Sequence, residues 1–293
     1  LLPAYRQVLA WYERWLKPDH SLDYIPPWFF LDWSAGLEGG EPIREPQGNS
    51  ALQDLLYLLA LERAAEMERV MGLPMMADHY TTLAQAIRSG FRAKYWDAGR
   101  GLFADTHDHR NYSQHANALA ILAGLTEGEE ARDVLLRTLQ DSTLTQCTIY
   151  FRYYLNQAMK VAGLGDLYLD NLQIWRDQMA LGLTTWAEMP EPSRSDCHAW
   201  GASPNIELYR IVLGIDSDAP GFSRVRIAPS LGELREVSGS MPHPNGQIRA
   251  AYQLNKKGQG KARLTLPEGT TGTFIWKGQS YPLHAGEQEV ELR

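Results

Sequence analysis

Glu188 closes the run Gly182-Leu183-Thr184-Thr185-Trp186-Ala187-Glu188, and Asp196, His198 and Trp200 follow shortly after it. Two carboxylates, an imidazole and two indoles therefore sit close together in a segment punctuated by glycine and proline. A carboxylate can move protons or activate water. An indole face covers the apolar C–H face of a pyranose while its edge stays polar. The combination suits cleavage of a sugar. A surface loop anchored by a buried tryptophan accounts for the same residue types equally well, and a loop glutamate is most often solvated.

Other chemistry-bearing residues lie far from this segment. Asp32 and Trp33 fall in a long irregular stretch that carries Pro26-Pro27-Trp28, and such a stretch in a compact domain is usually functional. His115 lies at a helix start, in Ser113-Gln114-His115, where it can cap or pack. Tyr150 and Arg152 open a helix beside Cys147. Arg194 and Asp196 are placed to pair with each other. His107-Asp108-His109 reads as a solvated turn, because three adjacent residues cannot all face one ion. No oxygen-rich cage for calcium is visible.

These residues need elements to hold them. Residues 1–213 read as helices and residues 214–293 as short strands. The first helix has an apolar face in Val8, Leu9, Trp11, Tyr12, Trp15 and Leu16 and ends at Pro18. A second opens on a capping box of Ser50 and Gln53, carries Leu52, Leu55, Leu56, Leu59 and Leu61, and is terminated by Gly72 and Pro74. Thr126 and Glu129 form another box before Val134, Leu135 and Leu139. Further helices are expected over about 151–162, about 166–180, and from Pro204 through Ile211. Helices of this length with short connections suggest an alpha-alpha toroid, with fewer helices than a ring of twelve. The chain opens inside a helix at Leu1, so the expectation is a toroid lacking its opening helices.

After about residue 216 alternation replaces the helical period. Ile248, Ala250, Tyr252 and Leu254 share one strand face, and Asn245-Gly246 before them signals a hairpin. A short-stranded antiparallel sandwich is expected. The whole is thus α+β: an (α/α)6-type toroid followed by a small antiparallel β-sandwich.

Composition bounds the function. With 28 Lys+Arg against 35 Asp+Glu, the net charge of −7 argues against nucleic acid and against a polybasic membrane face. No apolar run is long enough to span a bilayer. Cys147 and Cys197 form no framework and have no metal-ligand spacing, so both are expected unbridged.

Thr184-Thr185-Trp186-Ala187-Glu188, followed by Ser195-Asp196-Cys197-His198-Ala199-Trp200-Gly201, resembles the catalytic-base region of bacterial alpha-L-rhamnosidases, glycoside hydrolase family 78. Phe30-Leu31-Asp32-Trp33, Tyr112-Ser113-Gln114-His115-Ala116-Asn117-Ala118 and Tyr150-Phe151-Arg152-Tyr153-Tyr154 agree in order, and the family's C-terminal sandwich resembles the chain from Pro220 onward. The resemblance implies inverting hydrolysis of terminal alpha-L-rhamnosides. It implies Glu188 as the base, with Asp32, Trp33, His115, Tyr150, Trp186, Asp196, His198 and Trp200 around the sugar. No cofactor is needed, and the partner is a rhamnoside or oligosaccharide substrate. The family's general acid lies in an upstream segment rich in Cys, Pro, Arg, Glu and Trp that has no counterpart here. A piece with poor activity by itself is therefore expected. Another toroid glycosidase or phosphorylase, or a non-catalytic sugar-binding fragment, are the alternatives.

Overall fold

The structure, a computed structural model, describes residues 2–26 and 28–293; Leu1 and Pro27, named above, lie outside them. The helices are α1 (Leu2–Glu13), α2 (Ala51–Val70), α3 (Pro74–Tyr95), α4 (Gln114–Leu122), α5 (Gly128–Gln140), α6 (Arg152–Val161), α7 (Gln173–Ala180) and α8 (Pro204–Glu207), the last continuing as a π-turn over Leu208–Val212. A two-residue ribbon pairs β1 (Trp96–Asp97) with β2 (Leu102–Phe103). No helix among the described residues is long and apolar enough to cross a membrane. The chain forms two compact units. One runs to Ala162 and takes in Ala187–Asp196; the other comprises Gly163–Trp186 and Cys197–Arg293.

In the first unit α2 is buried on most sides, through Leu52, Leu55, Leu58, Leu61, Ala64 and Ala65. Helix α3 turns back along it after Met71–Leu73, with Gly72 at φ +72°. Pro74, expected as a terminator, is the first residue of α3, where its missing N–H costs nothing. Two carboxylates on α2 are buried, and each has donors. Asp54 accepts from Leu22 N and from the Tyr95 hydroxyl, both at 2.8 Å. Glu68 takes both arms of Arg6, at 2.7 and 2.6 Å, which ties α1 to α2.

Several local expectations are corrected. Helix α1 stops at Glu13, well short of Pro18. Leu16 instead bridges Leu22, so Trp15 and Leu16 belong to the loop. Ser50 precedes α2 but makes no cap bond; the Ala51 amide at the helix start is met by the Asp105 carbonyl at 2.9 Å. Helix α5 begins one residue later than a Thr126/Glu129 box requires, so Thr126 bonds Glu130 at 2.8 Å. The stretch from 166 to 180 is two short 3-10 turns followed by α7.

The second unit contains two four-stranded sheets. One has the order β10-β7-β6-β5 and is antiparallel throughout, built from β5 (Glu236–His243), β6 (Gly246–Leu254), β7 (Gly260–Leu266) and β10 (Gly286–Leu292). The other has the order β3-β4-β8-β9, built from β3 (Ile215–Ser217), β4 (Arg224–Ile227), β8 (Thr271–Trp276) and β9 (Gln279–Leu283). In this sheet β4 and β8 run parallel, so it is mixed rather than purely antiparallel. The hairpin before β6 is present, but His243 pairs with Gly246, so its loop is Pro244-Asn245 rather than Asn-Gly. Both sheets feed one core. Ile248, Tyr252, Leu264 and Leu266 of the first meet Val225, Ile227, Phe274 and Leu283 of the second. The Tyr252 hydroxyl donates to Leu213 O at 2.8 Å, joining this core to the end of the π-turn. No disulfide is formed; Cys147 is buried and Cys197 exposed.

Candidate active site

The loop between α1 and α2 turns tightly at residues 31–40. Both Leu31 N (2.7 Å) and Asp32 N (3.2 Å) donate to the Gly40 carbonyl. Gly40 has φ +75°, and a Cβ there would stand 3.0 Å from the Phe30 ring and 3.1 Å from the Trp33 ring. Only glycine lets the turn close under those two rings.

Asp32 is 0% exposed, and its carboxylate is caged. Its Oδ1 accepts Trp33 N at 2.9 Å and the Thr148 hydroxyl. Its Oδ2 accepts Thr148 N at 2.8 Å and the Ser34 hydroxyl at 2.9 Å, and lies 2.8 Å from His115 Nε2. Burial by itself raises this carboxyl. The His115 bond and charge, together with the two Thr148 bonds, outweigh burial and hold it below the usual carboxylate value. Thr148 is brought there by α4. Ser113 caps that helix by accepting Ala116 N at 3.1 Å, Gln114 N donates to Thr145 O at 2.9 Å, and the Gln114 side chain accepts Cys147 N at 3.0 Å.

Glu188 is buried, 6% exposed, and joins the same unit. Its backbone is fixed by Glu188 N donating to Ser195 O at 2.8 Å. The Trp33 indole N–H donates to Glu188 Oε1 at 3.2 Å. Arg194 pairs with the same carboxylate through Nη2, and its Nε donates to Oε2 at 3.3 Å. The Arg194 guanidinium also lies over the Trp33 ring, 4.7 Å from its centroid. The carboxylate that Arg194 engages in this way is Glu188, where a pair with Asp196 was expected; Asp196 itself is exposed.

Aromatic rings line up beside this pair. Phe30 lies 5.0 Å from Trp33 and 5.8 Å from Tyr150, and Trp28 lies 5.6 Å from Phe30. The structure thus brings Asp32, Trp33, His115, Tyr150 and Glu188 into one set. Trp186, His198 and Trp200 form a second set in the other unit. There His198 N donates to Trp186 O at 2.8 Å, and the His198 and Trp200 rings are 4.4 Å apart. Ser34 and Thr148, half of the Asp32 cage, were not singled out from sequence. Ser34 had a signal, a hydroxyl two residues after a carboxylate in Asp32-Trp33-Ser34. Thr148 had none beyond its place before the Tyr150 motif. Among the described residues no group of His, Cys, Asp and Glu is arranged to hold a metal ion. His107-Asp108-His109 forms a turn in which Thr106 bonds Asp108 at 2.7 Å and His109 bonds Lys94 O at 3.0 Å.

Behind the Asp32 cage lies a second buried carboxyl. Asp105 Oδ1 accepts the Ser113 hydroxyl at 2.6 Å, while Oδ2 has no hydrogen-bond partner among the described residues. Burial lifts this group to about 6 despite the Ser113 bond and the charge of His115.

Comparison with known proteins identifies the family and the fold. A family model described as the bacterial alpha-L-rhamnosidase 6 hairpin glycosidase domain matches residues 1–212, and one described as the bacterial alpha-L-rhamnosidase C-terminal domain matches residues 214–291. No curated protein sequence matches the chain. Three solved structures are similar in fold. The family 78 rhamnosidase of Bacillus sp. GL1 is 23% identical at TM-score 0.73, over 93% of this chain and 31% of that one. The alpha-L-rhamnosidase of Aspergillus terreus is 17% identical at TM-score 0.77, over 98% and 36%. That of Streptomyces avermitilis, complexed with L-rhamnose, is 17% identical at TM-score 0.77, over 100% and 30%. The chain spans about a third of the length of these solved chains.

Proposed function

The chain belongs to the bacterial alpha-L-rhamnosidase family, and from that premise we propose that Glu188 is the general base of an inverting hydrolysis of terminal alpha-L-rhamnosides. The observation that carries the proposal is the Glu188 carboxylate itself. It is nearly buried, its backbone is fixed, and it accepts a hydrogen bond from the indole of Trp33 in the family's Asp-Trp motif. In an inverting reaction one carboxylate takes a proton from the water that attacks the anomeric carbon. A second carboxyl, about 6.5–9.5 Å away, protonates the leaving oxygen from the opposite face.

The remaining residues divide by burial. Trp33 and Tyr150 are half-buried and, with the exposed Asp196 of the same unit, act as contacts for the sugar ring. Asp32 and His115 are fully buried and act from behind. They fix Thr148 and the backbone of Trp33, and through Trp33 the position of Glu188. Arg194 balances the carboxylate charge when no substrate is present.

The test uses the whole protein as it occurs. Glu188→Gln keeps the shape of the side chain but cannot take a proton. Turnover of an aryl alpha-L-rhamnoside should fall by roughly 10²–10⁴-fold while L-rhamnose binding by calorimetry persists. Normal turnover in Glu188→Gln would remove it as the base. Rhamnose binding by the unaltered protein with no turnover of any rhamnoside would favour a sugar-binding role instead.

A further inference from the structure

Trp28 is 64% exposed, the largest side chain among the exposed hydrophobic residues, and it is not a stray surface ring. Its indole N–H donates to the Gly39 carbonyl at 3.0 Å, which turns the polar edge toward the protein and leaves a π face open. Phe30 backs it at 5.6 Å. Phe30 in turn touches Trp33 and Tyr150, so the rings form a continuous row from the solvent to the indole that holds Glu188. The same tight turn supports both ends of the row, through the Gly39 carbonyl under Trp28 and the absent Cβ of Gly40 under Phe30 and Trp33. Two ring steps put Trp28 within about 11 Å of Trp33, roughly the span of two sugar rings.

We propose that Trp28 is a stacking platform for the first ring of the leaving group. The proposal rests on the reading of Glu188 as the base for a terminal rhamnoside. A terminal sugar has nothing on its non-reducing side, so a platform one ring further out can only meet what lies beyond the glycosidic oxygen. With its N–H already satisfied, Trp28 offers a flat apolar surface and no hydrogen bond. The ligand it takes is therefore a ring with an apolar face, either the C–H face of a pyranose or an aromatic ring. Specificity at this position comes from ring shape rather than from polar groups.

The test compares kcat/KM for three alpha-L-rhamnosides in the whole protein: methyl rhamnoside, which has no ring beyond the bond, p-nitrophenyl rhamnoside, and a rhamnosyl-glucose disaccharide. In Trp28→Ala the ratio of a ring-bearing substrate to methyl rhamnoside should fall roughly tenfold, chiefly through KM, and Trp28→Phe should restore most of it. A fall confined to the aryl substrate identifies an aromatic leaving group, and a fall confined to the disaccharide identifies a sugar. An equal loss on all three substrates, or an unchanged ratio for both ring-bearing ones, overturns the proposal. Glu188→Gln separates the two claims, because it should depress all three substrates alike if the base is correctly assigned.

Discussion

Replacing Asp32 by asparagine should destabilise the protein by about 3 kcal/mol, and the reason lies in how the cage is wired. Each carboxylate oxygen accepts one main-chain N–H, Trp33 N on Oδ1 at 2.9 Å and Thr148 N on Oδ2 at 2.8 Å. The Ser34 and Thr148 hydroxyls can rotate, but a main-chain N–H cannot turn. Whichever way the amide is placed, its NH₂ faces one of those two donors. A hydrogen bond to a charged group contributes about 1.5–3 kcal/mol, and a buried donor left unmet costs about 1–3 kcal/mol. Removing a buried charge offsets part of that sum. The assay is urea unfolding followed by tryptophan fluorescence, with the midpoint shift converted at an unchanged slope. The pH dependence is a second check. Because the folded carboxyl is held below its ordinary value of 3.8, its contribution is present above that value and is lost as pH falls through the folded one. The gap between Asp32→Asn and the unaltered protein should hold from pH 8 to pH 5 and close only in stronger acid. A loss below about 1 kcal/mol at pH 7 would refute the wiring argument.

Asp105 should behave in the opposite sense. Its folded value is raised to about 6 from an ordinary 3.8, so it favours folding below 3.8 and loses that contribution as pH rises through 6. Asp105→Asn should therefore gain on the unaltered protein by up to ~3 kcal/mol between pH 4 and pH 8, read as the difference in urea midpoints; a pH-independent gap would contradict this. Gly214 has φ +76°, and a Cβ there would lie 2.2 Å from the Ala228 carbonyl carbon. Gly214→Ala should cost at least ~2 kcal/mol and lower the melting temperature by several degrees; an unchanged melt would argue that this strand entry can relax. A thiol reagent should modify the exposed Cys197 quickly. Cys147, buried and with its thiol pushed well above the usual range by burial, should react only on unfolding, and two equal fast phases would be inconsistent with that.

The switch from helices to strands was legible because the two periods differ along the whole chain. Ile248, Ala250 and Tyr252 all point into the core as their alternation implies. Element ends were read less well. Tertiary partners satisfy the terminal amides at Ala51, and the loop rather than the helix takes Trp15 and Leu16. The parallel β4–β8 pair has no local signature, because strand direction depends on which segments meet across the sheet. In the candidate site, the structure brings Asp32, Trp33 and Glu188 together, as their ordered motifs led one to expect. The Asp32 cage was not, since Thr148 is reached only through the side chain of Gln114 and the start of α4. Arg194 engages the buried carboxylate of Glu188, six residues away, a pairing that proximity in the sequence does not single out.

The division of the chain into units also sets an order in time. The Asp32 cage is complete once Thr148 has been made, whereas the partner of the Trp33 indole is Glu188, 155 positions along the chain from it. Between them the chain leaves the first unit at Gly163 and returns at Ala187. At synthesis rates of roughly 5–20 residues per second, the cage can form several seconds before Glu188 can reach Trp33. The scaffold is then assembled first from nearer segments, and the Glu188 carboxylate is inserted last, into a seat already shaped to receive it.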